Sequence, residues 1–250
     1  MPPTKGPIAS MTLIPSSPAK YTRSEAAGGY STATGVGAGF SLAAVVLVFT
    51  IAAGPKPVPH YFLAFATAMF TVGAVGLVFC SFSYATLSSA AETPVASYHE
   101  MLASSALTIC FLAELAGFDA LARPYLAGMR FVFVFIICGS VTFSPVWIWL
   151  PRVEVVRWDG KDCTRWFGGF AFALGVAIVA GTVWGIRSGG VSSGAWYKPL
   201  ALAMLIFVGA ACAGGAWLSD RKSSPPGLLT VAIVAAAQLS LMGWLIASLP

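Results

Sequence analysis

Glu114 is the residue of this chain best placed to do chemistry. It lies inside the apolar run LTICFLAELAGF, and ionisable groups within such runs are costly and default to functional candidates. Glu100, Leu107, Cys110, Glu114 and Gly117 recur near the helical period. The face they share is small and polar, so it is expected to point inward. Arg130 stands about one turn inside the next apolar run, at a depth similar to that of Glu114. The spacing predicts that the two pair and lock a helical hairpin. Proton handling or a substrate contact is the alternative role for the carboxylate. Asp119 is the weaker second acid, five residues on. On a continued helix it would sit about 140° from Glu114, which is no tight dyad. Asp119 and Arg123 are expected in a solvated connecting turn before Pro124.

Other polar residues lie deep in apolar sequence. Gln238 is at the middle of VAAAQLSLMGW, where an amide seeks an interhelical hydrogen bond or lines a cavity. Thr67, Thr71, Ser81, Tyr84 and Ser88 form a stripe near helical spacing, read mainly as packing. Ser140, Thr142 and Ser144 precede Pro145, which should loosen the helix that carries it. Arg130, Tyr84, Ser144 and Gln238 are thus the candidate cavity-lining set around Glu114.

Several chemistries are absent from the inventory. His60 and His99 each begin a helix, on opposite sides, about 35–40 Å apart along the intervening helix. They cannot share a haem or a metal. The lysines, at 5, 20, 56, 161, 198 and 222, leave none in the last helix for a retinal Schiff base. There is no phosphate-binding loop and no HExxH, and the Gly/Ser segment 188–194 reads as a flexible loop. Cys80, Cys110, Cys138 and Cys212 fall in apolar runs at unrelated spacings, and Cys163 alone lies outside one. No CxxC occurs, so the expectation is buried thiols, no metal and no cofactor.

The elements that must position these residues follow from composition. The 250 residues are 58% hydrophobic and 9% charged, with a mean hydropathy of +0.83. Soluble domains carry about 25% charge, so a soluble fold, a disordered chain and a compact nucleic-acid binder are excluded. The reading is an all-α, polytopic integral membrane helix bundle with about seven transmembrane helices. Residues 1–32 are Pro-, Ser- and Thr-rich and are expected to be a disordered polar tail. Residues 33–250 form the seven-helix domain. Its apolar runs lie near 34–53, 61–89, 99–118, 126–150, 167–186, 198–218 and 228–248, each long enough for one crossing. Residues 88–100 read either as a loop or as a helical extension.

Trp166 and Trp184 bracket the fifth run, about 27 Å apart at helical rise, and Trp196 and Trp217 bracket the sixth, about 31 Å apart. Both fit aromatic belts around a hydrocarbon core of about 30 Å. Net charge is +5, and the cations sit in flanks rather than clusters. With the N-terminus inside, nine Lys and Arg fall on the inner side and five on the outer, which favours N-in and C-out. The bacterial or cell plasma membrane is the first expectation, and an organelle membrane the second. Seven of the 23 charged residues fall in 151–165, where VEVVRW and KDCTRW flank Asp159-Gly160 and predict a short β-hairpin. Gly181 with Gly185, Gly209 with Ala213, Ala210 with Gly214 and Ala211 with Gly215 are small pairs on the fifth and sixth helices. They suit packing within the bundle or contact with a membrane partner or second copy.

Three function classes survive. The first two are a non-catalytic membrane subunit or accessory protein and a small-molecule or lipid transport component. The third is a membrane enzyme using Glu114 for acid catalysis on a lipid or isoprenoid, as in terpene cyclisation. That last comparison is one of architecture, with no shared motif.

Overall fold

The structure is a computed structural model, and it describes residues 23–54, 58–89, 96–124, 157–158, 161–162, 164–188, 196–221 and 228–250. Six helices and one two-stranded hairpin are found among them: α1 (Arg23–Ala52), α2 (His60–Ser89), α3 (Ala96–Ala122), β1 (Arg157–Trp158), β2 (Lys161–Asp162), α4 (Thr164–Ser188), α5 (Tyr197–Arg221) and α6 (Leu228–Ser248). Helices α4, α5 and α6 correspond to the fifth, sixth and seventh apolar runs. The fourth run, 126–150, with Arg130, Ser144 and Pro145, lies outside the described residues. Five helices contain stretches long and apolar enough to cross a membrane: Ser24–Ala52, His60–Ser89, Tyr98–Ala122, Tyr197–Leu218 and Leu229–Ser248. In α4 the corresponding apolar stretch, Phe172–Ser188, is shorter. The protein is therefore an all-α bundle of several apolar, membrane-length helices.

Helix ends follow the punctuation of the sequence. At the end of α1, Gly54 N–H donates to Ile51 O at 3.0 Å, and Pro55 follows. Pro59 precedes α2, and its carbonyl accepts from Phe62 N–H at 3.0 Å. Pro199 occupies the first turn of α5, where its missing N–H costs nothing. Residues 96–100 prove to be a helical extension, since α3 begins at Ala96.

One boundary differs from expectation. Helix α1 starts at Arg23, so residues 23–32 are helical and not part of a disordered tail. The cause is tertiary. Ser24 Oγ donates to Ser88 O. Ser31 Oγ donates to Ser81 O at 3.0 Å, and Ser81 Oγ donates to Ser31 O at 2.9 Å. Tyr30 stacks on Tyr84 with ring centroids 5.2 Å apart. Polar residues that read as loop are thus used to hold α1 against α2.

The core lies where α2 meets α1, α3 and α5, while α4 packs chiefly on α6. Phe65, Met69, Phe70, Met101, Ile109, Leu112, Leu200, Met204, Met242 and Leu245 are fully buried. Outward faces are apolar as well: Phe40, Phe82, Phe170, Ile206 and Leu229 are exposed, and Trp184 is 75% exposed, as a lipid-facing surface requires. The hairpin forms as the Asp159-Gly160 signal predicts, antiparallel, with Arg157 opposite Asp162 and Trp158 opposite Lys161.

The direction of each helix follows from its contacts. The Tyr61 hydroxyl donates to Ser248 O at 3.1 Å, which puts the start of α2 and the end of α6 on one side. Trp196 and Trp244 lie edge to face at 5.9 Å, which adds the start of α5 to that side. A Cβ built on Gly215 would lie 3.2 Å from His99 Cα, so the far end of α5 meets the start of α3. A Cβ on Gly243 would lie 2.9 Å from Thr182 Cβ. Both residues stand within about 10 Å of their helix C-termini, so α4 runs parallel to α6. Helix α3 therefore ends on the side opposite to that on which α4 begins.

Candidate functional site

Glu114 is carried by α3 and faces the seam between α1 and α2. Its carboxyl oxygen Oε1 is hydrogen-bonded by the Ser41 hydroxyl of α1. Its stem lies against the backbone of Gly73 in α2, where an added Cβ would meet Glu114 Cγ at 2.6 Å. One residue thus ties three helices. Ser41 is 2% exposed, and its Oγ is also 3.0 Å from Gly37 O. Glu114 lies about 27 Å along α3 from Ala96, and Ser41 about 27 Å along α1 from Arg23. The two side chains therefore occupy the same level, well inside the apolar span. Among the described residues no basic side chain pairs with Glu114; the expected partner Arg130 lies outside them.

Asp119 corrects an expectation. It is not in a solvated turn but in the last turns of α3, with no exposed surface. Arg123 Nη2 donates to its Oδ2 at 3.0 Å. The charged pair is made across the C-terminal end of α3, one turn apart, so each ion is taken from water together with its counter-ion.

Tyr84 is 2% exposed; its ring stacks on Tyr30, and its hydroxyl is 3.2 Å from Ser104 Oγ. It stands eleven residues beyond Gly73 on α2, about 16 Å away along the axis, so it does not share a site with Glu114. Gln238 is fully buried on α6. Of the expected set, Tyr84 thus stands apart from Glu114, while Arg130 and Ser144 lie outside the described residues. Thr67 and Thr71 bond back to Leu63 O and Thr67 O, each at 2.8 Å, and Thr71 is exposed.

The structure also gathers residues that spacing did not connect. His99 is 2% exposed, and its Nε2 is 2.7 Å from Ser83 Oγ. Ser83 lies 23 residues from His60 on α2, about 35 Å away, so the two histidines do stand at opposite ends. Beside Ser83, Cys80 of α2 lies next to the thiols of Cys110 on α3 and Cys212 on α5. Cys212 also reaches Ser83. Cys80 and Cys110 have no exposed surface, and Cys212 has 7%. The available signal was positional only: Cys80 and Ser83 lie one turn apart on α2. Among the described residues no group of three or more His, Cys, Asp and Glu is arranged to hold a metal ion.

The small-residue pairs divide. Ala211 and Gly215 are buried against α3, with Gly215 under His99. Gly181 and Gly185 are exposed, and a Cβ on either would meet nothing within 4 Å.

Comparison with family models, with curated proteins and with solved structures finds no match.

Proposed function

We propose that this chain is a seven-crossing membrane protein that acts as a non-catalytic subunit or accessory protein of a membrane assembly. One observation carries the reading: the polar side chains of the span are used to join helices. Ser31 with Ser81, Ser41 with Glu114, Ser83 with His99, Tyr84 with Ser104 and Tyr61 with Ser248 each bridge two helices. Bonds of this kind contribute about 1 kcal/mol each in membrane bundles and fix helix register. A crossing between α3 and α4 is supported by helix direction. The two flanking ends stand on opposite sides, and the apolar run 126–150 lies between them in sequence. The distribution of Lys and Arg favours N-in. The exposed Gly181 and Gly185 of α4 suit close approach by a partner helix or a second copy.

Purification from native membranes in mild detergent tests the proposal. A stoichiometric partner or a stable oligomer is expected. A chain that always runs alone as a monomer overturns it.

Glu114 favours a second reading, acid chemistry on a lipidic substrate. A protonated Glu114 would donate to Ser41 Oγ, and Ser41 would donate to Gly37 O, so every hydrogen has an acceptor. Glu114→Gln separates the readings. An acid catalyst loses turnover and keeps its fold, whereas a helix-joining residue loses detergent stability instead.

A further inference from the structure

We infer that Cys80, Cys110 and Cys212 form an intramembrane dithiol–disulfide site. In it Cys80 is the shared sulfur and can bond to either of the other two.

Three helices deliver one thiol each to this part of the bundle, with Cys80 between Cys110 and Cys212. Close backbone approach makes this possible. A Cβ on Gly76, one turn before Cys80 on α2, would overlap Cys110 Sγ, so the Cys110 thiol rests on the α2 backbone. Disulfides need Cα atoms about 4.4–6.8 Å apart, and a glycine at a helix contact lets the two backbones approach closely. The site is buried among helices of membrane length: Cys80 and Cys110 have no exposed surface, and Cys212 keeps 7%. A co-reactant that reaches it must therefore be soluble in lipid. Ser83 adjoins Cys212 and is bonded to His99 Nε2, which gives a departing thiol proton an acceptor through one hydroxyl.

The step is a two-electron oxidation by a lipid-soluble quinone. Two S–H bonds break and one S–S bond forms. Two electrons and two protons pass to the quinone, which leaves as the hydroquinone. The product covalently joins α2 to α3 when Cys110 reacts, or α2 to α5 when Cys212 reacts. Thiolate attack on the first disulfide exchanges one bridge for the other.

The full chain in lipid nanodiscs, treated with tetramethylbenzoquinone, tests the inference. This quinone has no free ring position and so cannot add to thiols. After denaturation and alkylation, two of the five cysteines should be protected, in a cross-linked peptide joining Cys80 to Cys110 or to Cys212. Cys110→Ser should move the cross-link wholly to Cys212, and Cys80→Ser should abolish it. Five alkylated cysteines in the treated wild-type chain overturn the inference, as does a cross-link that survives Cys80→Ser. The wild-type peptide map decides by itself if the Cys80 variant does not fold.

Discussion

Arg123 Nη2 donates to Asp119 Oδ2 at 3.0 Å across the C-terminal end of α3, and Asp119 has no exposed surface. The helix dipole opposes an acid at that end and favours a cation there. The arginine thus stabilises both its neighbour and the helix terminus. Arg123→Ala leaves a buried carboxylate without this partner and should lower stability by about 3 kcal/mol. Adding Asp119→Asn should recover most of the loss. Thermal unfolding in detergent measures both, and an unaltered melting point for Arg123→Ala would count against the pair.

Gly73 and Glu114 should behave as one unit. A methyl at position 73 enters the space of the Glu114 stem, 2.6 Å from Cγ. Gly73→Ala should therefore cost about 1–3 kcal/mol through overpacking. In a Glu114→Ala background the same substitution should cost little, because the obstructing atoms are gone. The non-additivity in a double-mutant cycle is the measured quantity, and strict additivity would rule out the contact.

The glycines of α4 and α5 should respond in opposite directions. Gly215→Ala places a carbon 3.1 Å from His99 Cδ2 and 3.2 Å from its Cα. It should part α5 from α3 and lower the melting point. Gly181→Ala meets nothing within 4 Å and should be neutral or raise stability by up to about 1 kcal/mol through helix propensity. If Gly181→Ala instead dissociates a co-purifying partner, α4 supplies the interface.

The two sides of the bundle are open to labelling. Ser89 ends α2 and Ser188 ends α4, and the contacts place those ends on opposite sides. Single cysteines at these positions, Ser89→Cys and Ser188→Cys in a cysteine-free chain, should react with a membrane-impermeant maleimide from opposite sides of oriented vesicles. Labelling from the same side would refute the helix directions and the crossing between α3 and α4.

What the sequence made legible was whatever depends on local pattern. Hydropathy located α2, α5 and α6 almost to the residue. The Asp159-Gly160 dipeptide foretold the hairpin. What it concealed depends on contacts across helices. Ser24, Ser31 and Tyr30 look like tail because polar residues before an apolar run resemble a linker; only their partners on α2 make them helix. Asp119 looked solvated because a charge beside proline normally is, yet Arg123 one turn on accompanies it inward. Glu114 stands within the apolar stretch Tyr98–Ala122 of α3. Its contacts with Ser41 and Gly73 lie 73 and 41 residues away in sequence, beyond any periodicity. The thiol cluster was hidden for the same reason.

Helix α2 meets α1, α3 and α5, and this bears on the order of assembly in the membrane. Its first two neighbours are made immediately before and after it, whereas α5 emerges about a hundred residues later. A nascent chain can close the α1–α2–α3 unit through Ser31, Ser81, Ser41 and Glu114 while α5 is still unmade. The groove over Gly76, Cys80 and His99 then stays open to lipid until Cys212 and Gly215 arrive. Chains arrested before residue 197 would carry Cys80 and Cys110 uncovered, a feature by which half-made copies differ chemically from finished ones.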